Sequence, residues 1–178
     1  MLTSQRIKEG IEVMSTNLGR TIAELSDSQP VMIIFLRHFG CTFCREALAE
    51  ISLKRENIAA SGTKLIFVHM ADQETAEQYF TRYNLEGVEH VSDPDCNFYA
   101  LFGLVKGKVT QLMGLRVWMR GFQAGVVEGH GLGKLMGDSF QMPGIFLLQN
   151  RIIRDQYIHK LSSDKPDYEK LTECCRVA

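Results

Sequence analysis

The sequence predicts an α/β fold: a three-layer sandwich on a mixed β-sheet, with an N-terminal helical extension and a glycine-rich insertion before a proline-led strand. Three observations point there. Val31–Leu36 is an uninterrupted apolar run, too short and too uniform for a surface helix, which reads as a strand buried on both faces. Leu65–Val68 repeats that signature after an intervening helix pattern, giving a strand–helix–strand unit with a right-handed parallel crossover. Ile145–Leu148 and Ile152–Tyr157 flank Gln149-Asn150-Arg151, a β-hairpin signal.

The elements follow in order. Ile7, Ile11, Met14 and Leu18 recur at helical spacing, so residues 3–18 are expected to form one helix capped by Thr3. The Val31–Leu36 strand runs into Arg37-His38-Phe39-Gly40-Cys41-Thr42-Phe43-Cys44. A helix then carries Leu48, Ile51 and Ile58 on one face and stops at Gly62. Asp72 caps a further helix that turns Ala76, Phe80 and Tyr83 inward. Asp93 is expected to cap a short helix with Pro94 in its first position and Phe98, Leu101 and Phe102 as its apolar side.

Residues 103–144 hold ten of the 15 glycines, which marks them as an excursion rather than a packed element. A short strand is expected near Val109–Leu112. The hairpin follows, and Pro166 opens a terminal helix with Leu171 inward. No repeat, low-complexity tract or linker divides the chain, so residues 1–178 read as a single domain. Two parallel strands, an antiparallel hairpin and flanking helices make the architecture thioredoxin-like.

Composition narrows the function. Hydrophobic residues make up 45% and charged residues 23%, which excludes a disordered, collagen-like or coiled-coil chain. The 20 basic residues do not exceed the 21 acidic ones, so nucleic acid is not an expected partner. The apolar runs are too short to span a bilayer, so no membrane association is expected. The first residues lack the apolar stretch of a signal peptide. With five cysteines, an odd and modest count, the expected compartment is the reducing cytoplasm, where close cysteines mean redox chemistry or a metal.

Cys41-Thr42-Phe43-Cys44 carries the chemistry. A thiol attacks only as thiolate. These two sit between a buried strand and a helix start, whose free N–H groups favour an anion. Their spacing allows a disulfide between them. His38 and Arg45 are expected to add positive charge, and Arg116 and Arg120 are further candidates to lower a thiol pKa. Packed cysteines or half of a zinc site are the competing readings, but no second Cys-X-X-Cys or His pair completes a metal set. Cys96 reads as buried filler, with a resolving role as the alternative, and Cys174 and Cys175 as exposed or partly packed thiols. Gly129-His130-Gly131-Leu132-Gly133 lacks the spacing and preceding strand of a nucleotide site. His69 reads as a satisfied core histidine; His90 and His159 have no evident partner.

Three segments resemble the peroxiredoxin-like proteins of the alkyl hydroperoxide reductase and thiol-specific antioxidant superfamily. They are Phe35–Glu46 around the two cysteines, Ser92-Asp93-Pro94 running into Phe98–Leu104, and Gly137–Phe146 around Met142-Pro143. The resemblance covers roughly residues 20–170. It implies a thioredoxin fold and thiol-dependent reduction of peroxides or disulfides, with no cofactor and no metal. It implies electrons from a thioredoxin- or glutathione-type donor and leaves a homodimer open.

It also implies that Pro143 is a cis proline facing the thiols, with the Met142 backbone beside them for an extended substrate to pair with. The sequence departs from the family motif Pro-x-x-x-Thr-x-x-Cys: counting back from Cys44, Arg37 fills the proline slot and Cys41 the threonine slot. Two assignments follow. By thioredoxin logic Cys41 attacks and Cys44 resolves; by peroxiredoxin alignment the roles reverse. The more N-terminal thiol is usually the more exposed, which favours Cys41. A non-enzymatic redox-sensing or interaction module on the same fold is the alternative function.

Overall fold

The computed structural model describes residues 2–107, 138 and 140–175. The strand expected at Val109–Leu112, the Gly129–Gly133 segment, Arg116 and Arg120 lie outside the described residues.

The described chain runs α1 (Leu2–Val13), α2 (Ile22–Ser28), β1 (Val31–Phe35), α3 (Thr42–Ala60), β2 (Lys64–His69), α4 (Gln73–Arg82), β3 (Glu89–Ser92), α5 (Asn97–Leu101), β4 (Gly144–Gln149), β5 (Ile152–Ile158) and α6 (Tyr168–Thr172). A 3-10 turn, Glu173–Cys175, follows α6. The sheet order is β3-β2-β1-β4-β5. β1 pairs in parallel with β2 and antiparallel with β4. This is the expected mixed sheet, with its parallel crossover through α3 and its β4–β5 hairpin.

Alternation along the buried β1 divides the core in two. Val31, Ile33 and Phe35 pack with Ile11, Met14, Ile22, Tyr99 and Phe146 on the face covered by α1, α2 and α5. Met32 and Ile34 pack with Leu48, Ile51, Phe80, Leu147 and Tyr168 on the face covered by α3, α4 and α6. The sandwich is therefore three-layered, and every residue of β1 is buried.

Several boundaries differ from expectation for local reasons. The first helix ends at Val13, because the chain turns back: Thr16 N–H donates to Arg20 O at 2.9 Å, and Gly19 takes the turn at φ 76°. Leu18 is thus 63% exposed rather than on an inward face. The separate α2 starts at a capping box, with Thr21 and Glu24 bonding each other's backbone N–H.

β3 is an added strand. Its buried Glu89 hides the pattern, being neutralised by Arg20 and Lys64 and hydrogen-bonded by Thr16 Oγ1 at 2.8 Å. Asp93 does serve α5, accepting from the N–H groups of Asn97 and Phe98 at 2.9 and 2.8 Å. Pro94 lies outside that helix, however, and Cys96 occupies its N-cap at φ 58°. Cys175 is buried against the core cluster of Tyr168 and Leu171, not exposed.

Candidate active site

The site forms where β1 ends. Leu36 N–H continues the ladder to Val68 O at 2.9 Å, and the chain then leaves the sheet through residues 37–41 into α3. Phe39 anchors this loop. Its ring stacks on Tyr79 at 4.8 Å, meets Phe80 edge-on at 5.7 Å and lies 5.4 Å from His69. Tyr99 fixes the loop's start from below, its hydroxyl donating to Leu36 O and to Val68 O.

Cys41 is the N-cap of α3 and Cys44 lies one turn on, so their sulfurs share a face. Both are nearly buried, at 8% and 5% exposure. The Cys41 thiol is pulled down to about 6, foremost by a hydrogen bond from the Cys44 thiol, with burial opposing. Next comes the Arg37 guanidinium, whose Nη1 stands 3.5 Å from Cys41 Sγ. The backbone N–H groups of Phe43 and Cys44 add to it. They face the sulfur at the helix start without closing a full cap hydrogen bond. Cys44 moves the opposite way, well above the usual thiol range, because it donates to Cys41, is buried and faces the Cys41 charge. The two shifts run in opposite directions, so the surroundings favour charge on Cys41 and a proton on Cys44.

The thiols open into a narrow cleft walled by Arg37, Phe43, Ala47, Pro143, Ile145 and Tyr168 among others. The segment 159–166 forms its far side, where Lys165 pairs with the buried Glu46.

Of the residues expected to serve the thiols, Thr42 lies buried in the first turn of α3 between them, and Pro143 shares their cleft. The Met142–Pro143 peptide is trans, correcting the expected cis bond. Trans is the lower isomer for X–Pro by about 0.5–1 kcal/mol unless the surroundings override it. The Met142 backbone is not free either: its N–H donates to Val105 O at 3.3 Å, and its carbonyl accepts from Gln141 Nε2 at 3.3 Å.

His38 carries no positive charge. Burial, with Arg37 and Arg45 nearby, lowers it to about 4, and its Nδ1 has no partner among the described residues. Arg45 turns away from the thiols, donating from Nε to Phe39 O at 2.8 Å and from Nη2 to the Tyr79 hydroxyl at 3.2 Å. The positive charge at Cys41 comes from Arg37, which sequence reasoning noted only as the occupant of the proline slot. Its signal was its place, one turn of loop before Cys41 at the end of a buried strand.

Cys96 is half-buried rather than buried, since it sits at the N-cap of α5; it bonds Met70 Sδ at 3.3 Å and does not line the thiol cleft. His69 and His90 partner each other, Nε2 to Nδ1 at 2.8 Å.

Comparison with known proteins places this geometry. Among curated proteins, the thioredoxin-like protein AAED1, chloroplastic, of Arabidopsis thaliana is 28% identical over 86 residues. That match takes in 48% of this chain and only 34% of the relative's length. Among solved structures, the bacterioferritin comigratory protein of Xanthomonas campestris, described with alkyl peroxide reduction activity, aligns with a TM-score of 0.57 and 14% identity. It covers 85% of this chain and 80% of its own. Peroxidoxin BcpB from Mycobacterium tuberculosis aligns with a TM-score of 0.59 and 18% identity over 92% of this chain and 90% of its own. Identities this low speak for the fold, which is the thioredoxin-like fold of peroxiredoxins. The AhpC/TSA family model matches residues 13–155, from the end of α1 through most of β5 and across both cysteines, and the chain therefore belongs to that family.

Proposed function

We propose that the protein is a thiol-dependent oxidoreductase that reduces peroxides or disulfides through a Cys41–Cys44 dithiol/disulfide cycle. One observation carries the reading: at the N-cap of α3, Cys41 Sγ lies 3.5 Å from the Arg37 guanidinium with Cys44 one turn on. Cys41 attacks and is oxidised. Cys44, protonated and one turn behind, then closes the disulfide and releases the second product. Family membership supports the reaction class.

Two electrons return from a thioredoxin- or glutathione-type donor, and no bound cofactor enters the cycle. The work is done in one domain and belongs in the cytoplasm; no described helix is long and apolar enough to cross a membrane. Pro143 walls the thiols in the cleft.

The test is peptide mapping after one equivalent of hydrogen peroxide or of a small disulfide. A Cys41–Cys44 disulfide is expected, followed by turnover once a reductant is supplied. Both thiols remaining free while Cys96 or Cys175 is oxidised would overturn the assignment. Disulfide formation without turnover would favour a redox sensor.

A further inference from the structure

In a thioredoxin-like site the main chain beside the thiols is a docking edge, where an extended polypeptide can pair as an added strand. Here that edge is already filled. Residues 104–107 run antiparallel to 140–142, with a bridge between Lys106 and Gln141. Gly107 N–H donates to Phe140 O at 2.7 Å and Met142 N–H to Val105 O at 3.3 Å. The Gln141 side chain completes the closure, donating from Nε2 to Leu104 O at 3.0 Å.

The filling segment is anchored. Leu104 is 2% exposed, and its N–H donates to Tyr99 O at 2.9 Å. It packs over Gly144, where an added Cβ would come within 2.6 Å of Leu104 Cδ2. A glycine at the residue after Pro143 therefore makes room for the side chain that pins 104–107 in place.

The other approach to the thiols is the cleft between α3 and residues 159–166. Its carboxylates are answered within the protein, while Arg37 stands beside Cys41. Glu46 pairs with Lys165, Glu50 with Lys54 at 2.9 Å, and Asp164 accepts from the Lys160 and Leu161 N–H groups at 2.8 and 2.9 Å. Phe43, Ala47, Ile145 and Tyr168 supply apolar wall between them.

Resting on the dithiol reading above, we infer that residues 104–107 occupy the strand-pairing edge next to Pro143, which walls the thiol cleft, so that among disulfides the dithiol favours small organic ones and offers extended polypeptides no strand to pair with. In the reaction, Cys41 thiolate attacks one sulfur of the substrate, forming a mixed disulfide and expelling the first thiolate. That thiolate takes the Cys44 proton. Cys44 then attacks Cys41 Sγ and expels the second thiolate, which takes a proton from water. One dithiol and one disulfide become one protein disulfide and two small thiols.

The test compares the reduced protein's rates with bis(2-hydroxyethyl) disulfide and with a disulfide-linked dimer of an unstructured peptide. The peptide disulfide is expected to react no faster than the small one, because it forgoes the two or three main-chain hydrogen bonds that an open edge would offer and the roughly 100-fold they are worth. Leu104→Ala, which loosens the anchor, is expected to raise the peptide rate about tenfold while leaving the small-disulfide rate within about twofold. Hydrogen exchange on the unaltered protein is expected to show the Gly107 and Met142 amides protected.

A peptide rate about 100-fold above the small-disulfide rate, or unprotected amides, overturns the inference even if Leu104→Ala fails to fold. So does a released segment in Leu104→Ala with no gain in peptide rate. If neither substrate yields a Cys41–Cys44 disulfide while both amides are protected, the dithiol reading itself falls, and the substrate claim with it.

Discussion

Arg37→Gln tests the electrostatic core of the site. The guanidinium lies 3.5 Å from Cys41 Sγ. Two unit charges at that separation interact by about 5 kcal/mol at an effective dielectric of about 20 and by about 1 kcal/mol in bulk water. Arg37 is half-buried, so solvent screens part of the interaction. An intermediate value of about 1.5–3 kcal/mol corresponds to about 1–2 pKa units. Cys41, held near 6 in the native site, is then expected to titrate between about 7 and 8. At pH 7 the thiolate fraction drops from about 90% to between about 50% and 10%, and alkylation by iodoacetamide slows about two- to tenfold. The assay is alkylation rate against pH, read by mass spectrometry at Cys41. An inflection that stays near 6 in Arg37→Gln, or one already at the ordinary thiol value in the native protein, would refute the reasoning.

Three further outcomes follow from the same contacts. The Cys44 thiol is the foremost cause of the low Cys41 value, so Cys44→Ala should raise the Cys41 inflection, whereas Cys44→Ser, which still donates from a hydroxyl, should raise it less; equal shifts would contradict a hydrogen-bond origin. Burial holds His69 neutral down to about 3, against an ordinary histidine value of 6.5. The unfolded chain therefore takes up this proton first, and stability is lost as pH falls from about 6.5 toward 3, by about 2–3 kcal/mol for this residue at pH 4.5. Urea midpoints at pH 7 and 4.5 measure that slope, and His69→Gln should flatten it. Phe39→Ala removes a ring 1% exposed and stacked on Tyr79, which should cost about 3–5 kcal/mol in urea unfolding; a loss below about 1 kcal/mol would show that Phe39 does not anchor the loop.

What the sequence made legible was whatever depends on near neighbours. The apolar runs that become β1, β2 and β4 are buried because nothing in them resists burial, and Asp72 and Asp93 cap helices through N–H groups a few residues away. The two cysteines fall one helical turn apart by spacing alone. Contacts between distant segments were hidden. Glu89 looks unfit for a buried strand until Arg20, Lys64 and Thr16 are brought to it. His38 beside Cys41 reads as a cation in sequence, yet burial removes its charge. Arg45 looks equally well placed, yet its side chain is claimed by Phe39 O and Tyr79. Pro143 lines the thiol cleft, while its isomer turns on about 0.5–1 kcal/mol that no local pattern encodes.

The same logic bears on which cysteine attacks. Family alignment puts Cys44 in the peroxidatic slot, and for Cys44 to act first it would have to ionise first. Two coupled acids lose their protons in sequence, and the first charge raises the cost of the second. The first proton leaves whichever sulfur has the better anion site. Cys41 has Arg37 on one side, the N–H groups opening α3 on another, and the Cys44 thiol as a donor. Cys44 lies deeper and faces the charge Cys41 already carries. Replacing the motif's proline by Arg37 and its threonine by Cys41 thus acts in one direction. The second thiol stands where the hydroxyl would be, and the cation that favours its thiolate arrives four residues earlier in the same loop. If both substitutions act together, Arg37→Gln should narrow the gap between the two thiols rather than merely slow one. Arg37 also lowers Cys44, as a lesser cause, so in that variant alkylation of Cys44 relative to Cys41 should rise by less than the roughly two- to tenfold slowing of Cys41 at pH 7, and an unchanged ratio would mean that the order of ionisation is set by depth alone.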